Sequence, residues 1–170
     1  MQNHLAILFI LLCCFSIKKT LGKTITVGKS RQINSIKAAL TLATNGDTVL
    51  VETGIYHEGN IIINSSIVLK GINNPVLDGE NKYEIISIKN NGVVVDGFKL
   101  QHAGRSEIQD IAGIKIYNSR NVSVINNILD DTNFGIYIQY GNKCLIKNNT
   151  LLSYGTEELQ SGNGIHCWKS

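Results

Sequence analysis

Short runs of alternating apolar and polar residues, each closed by Gly or Asn, recur from Asn60 onward. The clearest are Ile67-Val68-Leu69-Lys70-Gly71, Val93-Val94-Val95-Asp96-Gly97, Val122-Ser123-Val124-Ile125-Asn126 and Cys144-Leu145-Ile146-Lys147-Asn148. Their first positions are 26, 29 and 22 residues apart. A second run recurs as Gly113-Ile114-Lys115-Ile116, Gly135-Ile136-Tyr137-Ile138 and Gly164-Ile165-His166-Cys167. A strand period of two puts Ile114, Ile116, Ile136, Ile138, Ile165 and Cys167 on one face. Gly71, Gly97, Asn126 and Asn148 close the first runs. Gly and Asn tolerate left-handed backbone angles, so the pattern predicts a sharp corner at that place in every repeat.

Short strands and fixed corners at this period predict an all-β parallel β-helix, in which stacked coils share one core. The leucine-spaced consensus of a leucine-rich repeat is missing, and a sandwich would need hairpin turns at closer spacing. Asn126 over Asn148 and Asn127 over Asn149 predict amide ladders between coils. The N-terminal part differs. Lys23–Val27 reads as a strand, Ser35–Ala43 as an amphipathic helix beginning near Asn34 or Ser35, Asn45-Gly46-Asp47 as a turn, and Thr48–Val51 as the next strand. The helix is placed to plug the open end of the solenoid.

Composition agrees. There are 25 Ile and 19 Asn among 170 residues, a mixture of strand formers and turn residues rather than the composition of a helical bundle. The net charge of +3, without a basic patch, argues against a nucleic-acid binder. Leu5–Phe15 is an apolar run too short to span a bilayer. It is read as the core of a secretory signal peptide over residues 1–22, with Thr20 and Gly22 at the −3 and −1 positions of cleavage. The mature part, 23–170, is then the β-helix domain. It carries a charge of +1, lies in the periplasm or outside the cell, and keeps Cys144 and Cys167 where disulfides persist. Both cysteines fall in inward strand positions, which points to burial.

Ser35–Ala43, Gly46-Asp47-Thr48-Val49 and Gly54-Ile55-Tyr56-His57-Glu58 resemble the opening of secreted carbohydrate-binding and sugar-hydrolase β-helices. Pro75-Val76-Leu77-Asp78-Gly79, Gly92–Gly97, Ala112-Gly113-Ile114, Phe134–Ile138 and Gly162-Asn163-Gly164-Ile165-His166 are similar to the NosD family, over residues 30–170. NosD proteins are periplasmic accessory proteins in the maturation of nitrous oxide reductase, a copper enzyme. The resemblance implies a right-handed solenoid, a non-catalytic role in copper-site assembly, and nitrous oxide reductase and a membrane ABC transporter as partners. It also implies further coils beyond Ser170, so the chain is read as an N-terminal fragment. Its uncapped last coil is expected to drive self-association.

Candidate chemistry gathers at one corner. From Leu100, Leu129 and Leu151 to the next Gly is 13, 6 and 13 residues, so two long loops flank a short one. The floor carries Asp130, Asp131 and Asn133. One wall carries His102, Arg105, Glu107 and Asp110, the other Tyr154, Glu157, Glu158 and Gln160, and His166 follows. His102, Asp130, Asp131 and His166 form the candidate metal set, with copper as the candidate ion. The same residues also read as ordinary solvated loop polars. A secreted polysaccharide-binding or polysaccharide-cleaving protein is the alternative, with Asp130-Asp131 as its carboxylate pair. The Asn-Thr-Asp, Gly-His-Gly and Arg-x-Lys pattern of polygalacturonases is missing, however. Tyr56 and Glu58 are read as residues that fix the first coil.

Overall fold

Strands of two to six residues cannot bury an apolar face by themselves, and here they do so by stacking in register. The computed structural model describes residues 21–106, 108–154 and 162–170. The signal-peptide reading falls largely on residues 1–20, which lie outside the described residues.

Three parallel sheets wrap one core. Sheet A contains β1 (Thr24–Val27), β2 (Thr48–Val51), β5 (Val68–Gly71), β8 (Val94–Asp96), β11 (Ser123–Ile125) and β14 (Leu145–Lys147). Sheet B contains β3 (Ile55–Tyr56), β6 (Val76–Asp78), β9 (Lys99–Gln101), β12 (Ile128–Asp130) and β15 (Thr150–Leu152). Sheet C contains β4 (Ile61–Ile63), β7 (Ile86–Ile88), β10 (Ala112–Tyr117), β13 (Phe134–Gln139) and β16 (Ile165–Trp168). The chain visits A, B and C in turn on each coil. The parallel β-helix is thus the observed architecture, and both sets of aligned runs pair as read: Val68, Val94, Ser123 and Leu145 in sheet A, and Ile114, Ile136 and Ile165 in sheet C.

Register stacks like on like. Val49, Leu69, Val95 and Val124 form an inward row that is fully buried, as do Leu77, Leu100 and Leu129 in sheet B and Ile61, Ile86, Ile114 and Ile136 in sheet C. Burying each such side chain contributes about 1.5–3 kcal/mol. Toward β14–β16 the rows lose their cover. Ile165 is 49% exposed and Cys167 is exposed, although Cys167 stands over the buried Ile138. The burial anticipated for Cys167 is therefore corrected: its slot points inward, but no described coil lies over it. Cys144 packs partly against the core, and both thiols are free.

The corners follow backbone sterics with one exception. Gly97, Asn126 and Asn148 have φ of 79°, 57° and 56°. Gly71 does not take a positive φ; Asn73 and Asn74, at 55° and 52°, turn the chain in that coil. Gly71 is required for another reason, because a Cβ there would stand 2.3 Å from the Gly97 carbonyl oxygen. Both amide ladders form. Asn148 Nδ2 donates to Asn126 Oδ1 at 3.3 Å, and Asn127 Nδ2 donates to Asn149 Oδ1 at 3.1 Å. Asn127 is buried and also donates to the Val95 carbonyl, while its Oδ1 accepts from the Phe98 N–H. Its polar atoms are thereby satisfied inside the core.

Helix α1 (Ile36–Leu42) covers the first coil with Ile36 and Ala39 buried. Ser35 caps it, accepting from the Ala38 N–H at 3.2 Å. Glu58 completes the cap from the next coil, accepting from Ser35 Oγ and from the Ile36 and Lys37 N–H groups at 2.6–2.9 Å. Tyr56 donates to the Glu52 carbonyl at 2.8 Å. Both residues fix the first coil, as their place in the opening motif suggests. Asp47 closes the turn into β2, accepting from the N–H groups of Thr44 and Lys23 at 2.8 Å each.

Three outcomes follow from this packing. Asn126→Val forces a β-branched residue into a left-handed corner and is expected to cost about 1–3 kcal/mol, whereas Ser123→Val, on the solvent side of β11, is expected to be near neutral. Equal urea midpoints for the two would contradict the coil alignment. The Thr44 and Lys23 N–H groups hold the Asp47 carboxyl below the ordinary carboxylate range. Its contribution to stability is thus complete above the unfolded value of about 3.9 and is lost as pH falls through the lower folded value. Asp47→Asn should therefore lower the melting temperature at neutral pH and shrink the difference between parent and variant in acid; a constant difference at every pH would remove this role. Third, residues 21–170 as a polypeptide should associate at micromolar concentration through the half-exposed rows of β14–β16. A monodisperse monomer by light scattering would show that these rows need no cover.

Candidate functional site

Register puts the outward residues of sheet B in cross-coil rows. Asp78, Gln101 and Asp130 share one row and Lys99 stands beside it. Gln101 Nε2 donates to Asp78 Oδ2 at 2.9 Å, the Glu80 N–H donates to Asp78 Oδ1 at 2.9 Å, and His102 Nδ1 lies 3.1 Å from Asp78 Oδ2. Partial burial pushes the Asp78 carboxyl up, but these donors outweigh it and hold it below the ordinary range. Lys99 Nζ pairs with Asp130 Oδ2 at 2.8 Å. That pairing, with a hydrogen bond from Tyr154, depresses the Asp130 carboxyl. Asp131 has φ of 53° and pairs with Arg105 at 2.9 Å, tying the first long loop to the floor.

The structure thus joins His102 with Asp78 rather than with Asp130 or Asp131, and it engages each of the three carboxylates with a different protein donor. His166 belongs elsewhere. It lies on the outer face of sheet C, 4.8 Å between ring centroids from Tyr137 and 5.7 Å from Phe134, with Asn163 Nδ2 3.2 Å from its Nδ1. Among the described residues no group of three or more His, Cys, Asp or Glu could hold a metal ion. Glu107, Glu157, Glu158 and Gln160 lie outside the described residues.

A concavity lies on sheet C, between residues 82–84 and 108–111. This groove has a volume of about 590 Å³. Ser87, Lys89, Lys115 and Tyr117 floor it, Lys82, Tyr83 and Glu84 form one wall, Gln109 and Asp110 the other, and Asn60 closes one end. The Tyr117 hydroxyl donates to both Glu84 carboxylate oxygens at 3.0 and 3.1 Å, and Ser87 Oγ donates to Glu84 as well. Burial pushes the Glu84 carboxyl up, against the opposing pull of Ser87, Tyr117 and the two nearby lysines. Burial, followed by the neighbouring Glu84, pushes the Tyr117 hydroxyl up. Lys115, almost wholly buried, donates to the Asp110 carbonyl at 3.0 Å. Its Nζ lies 5.1 Å from the Tyr117 ring centre and 4.6 Å from that of Tyr137, so two aromatic faces stabilise it.

Among the described residues, only Asp110 of the corner residues singled out in the sequence reaches this groove. The remaining members come from three successive coils, and the available signal was the outward pair Ser87 and Lys115 that strand register produces.

Comparisons with protein-family models, curated proteins and solved structures return no match.

Proposed function

We propose that this chain is a non-catalytic accessory solenoid of the NosD type, serving copper-site maturation of nitrous oxide reductase from the periplasm. It acts by docking protein partners, nitrous oxide reductase and a membrane ABC transporter, along its rigid side. The observation that carries the reading is the state of the corner carboxylates. Asp78, Asp130 and Asp131 are each engaged across coils, Asp78 by hydrogen bonding with Gln101 and His102, and Asp130 and Asp131 by ion pairs with Lys99 and Arg105. Carboxylates so engaged stiffen a wall. They are poorly placed to activate water or protonate a leaving group, which requires a carboxyl free to gain or lose a proton. The order of the motifs along residues 30–170 supports the family reading, since Ser35–Ala43 forms the capping helix and the others fall at strands or corners of successive coils.

The test is a binding assay with the full-length secreted chain, purified apo-nitrous oxide reductase and the solubilised transporter. Saturable binding to at least one partner, unmatched by an unrelated β-helix, is the expected result; no binding to either overturns the docking role. Copper titration addresses the metal separately. The parent and a His102→Ala/His166→Ala variant should take up copper with the same weak affinity, because the two imidazoles stand on different sheets. A marked loss in the double variant would show that they act together.

A further inference from the structure

We propose that Asn163-Gly164 is a site of spontaneous covalent modification, where the asparagine closes to a succinimide and opens to aspartate and isoaspartate, while the fold protects the chain's other two Asn-Gly pairs. The proposal is independent of the copper-maturation reading.

The sequence holds three Asn-Gly pairs, Asn45-Gly46, Asn91-Gly92 and Asn163-Gly164. Their shared chemistry is attack of the glycine backbone nitrogen on the asparagine Cγ. Glycine has no Cβ to hinder that approach. The glycine nitrogen gives its proton to solvent and bonds to Cγ. The Cγ–Nδ2 bond breaks, and the amide nitrogen takes up a proton and leaves as ammonia. Water, the only co-reactant, then opens the cyclic imide at either carbonyl. One opening yields aspartate. The other yields isoaspartate, in which the main chain runs through the former side chain.

All six residues are solvent-exposed, so exposure does not separate the pairs. Hydrogen bonding does. Asn45 Oδ1 accepts from the Ser66 N–H at 2.8 Å, and the Gly46 N–H donates to the Ser66 carbonyl at 2.8 Å. Asn91 Oδ1 accepts from the Arg120 N–H at 2.8 Å, and the Gly92 N–H donates to the Arg120 carbonyl at 2.9 Å. One residue of the next coil thus holds both the attacking nitrogen and the attacked amide, at corners where the glycine has φ of 91° or 67°. A bonded N–H loses its proton only when the corner opens locally.

Asn163-Gly164 lacks that clamp. Among the described residues the Gly164 N–H has no hydrogen-bond acceptor and Asn163 Oδ1 has no donor. The Asn163 amide bonds instead with His166 of its own segment, Nδ2 to Nδ1 at 3.2 Å. The site also matters to the fold. The Asn163 and Gly164 carbonyls accept from the Gly135 and Ile136 N–H groups at 3.2 and 2.9 Å and lead into the β13–β16 pairing. Isoaspartate adds a carbon to the main chain there, so the strand cannot keep both bonds and the register of Ile165 on Ile136. The pair therefore acts as a one-way mark of age that loosens β16 from the solenoid.

The test is peptide mapping by mass spectrometry, with isoaspartyl methyltransferase labelling, of the full secreted chain incubated folded and urea-unfolded at mildly alkaline pH. In the folded chain Asn163 should convert faster than Asn45 and Asn91 by about tenfold or more; in urea the three should convert at similar rates. Gly164→Ala should slow conversion at Asn163 by about tenfold and leave the other pairs unchanged, with a thermal melt matching the parent to show that it folds. Converted protein, separated from the parent by its added negative charge, should melt at a lower temperature. Comparable rates at all three pairs in the folded chain, or an Asn163 that converts only in urea, overturns the proposal. Unchanged conversion in Gly164→Ala overturns the succinimide route, and an unchanged melt after conversion overturns the loosening of β16.

Discussion

Stacking in register is the constraint on which everything else rests. Each coil offers its backbone N–H and C=O groups to the coils on either side, and its apolar residues find cover only there. Because the spacing between coils is about 4.8 Å, a residue's nearest neighbours are the residues at the same station of adjacent coils. An inward Leu therefore meets Leu77, Leu100 or Leu129, and a slip of one residue in any strand would turn a whole row outward. The helix α1 cap belongs to the same logic. It covers Ile36 and Ala39 against a coil with no other neighbour on that side among the described residues, and Glu58 of the following coil anchors it.

The outward stations obey the same geometry with different chemistry. Charges cannot sit about 4.8 Å apart on a column unless their signs alternate or an amide intervenes. On sheet A, Lys70 stands under Asp96 and pairs with it, and Asn126, next to the register partner Ile125, donates its amide to the same carboxylate. Gln101 between Asp78 and Asp130, with Lys99 bonded to the latter, shows both solutions on sheet B. Such pairs are individually weak where solvent reaches them. Their collective effect is to hold long side chains in place, which makes the wall a rigid surface.

Legibility in the sequence varied with how many stations a feature occupies. The strands of sheets A and C were readable because valine and isoleucine repeat at inward positions over several coils, and the Asn126 and Asn127 ladders were readable because like residues stack. In sheet B, β3, β6, β9 and β12 each bury one strand residue, Tyr56, Leu77, Leu100 or Leu129, and β15 buries none, so these strands carry little alternation of their own. Gly71 shows a different limit. Close approach of the neighbouring backbone and a left-handed corner both select Gly, and composition alone does not separate them. The corner residues of the candidate metal set could be placed on the right loops, but not on the right partners. Whether His102 meets Asp78 or Asp130 depends on rotamers and on which donor reaches each carboxylate first.

The groove on sheet C shows where a solenoid can acquire specificity at all. Strand positions are bound by stacking, since a change at one station must suit the stations above and below. The connections from sheet B to sheet C escape that rule, because their length differs from coil to coil. Residues 82–84 and 108–111 use this freedom to line a groove over Lys115 and Tyr117, which the stacked strands hold in place. A concavity built this way combines a floor fixed by register with walls free to vary. Lys115 can be buried there because the Asp110 carbonyl and two tyrosine rings together replace the hydration that its ammonium group loses. A cation so placed contributes little to folding that a well-packed apolar residue would not.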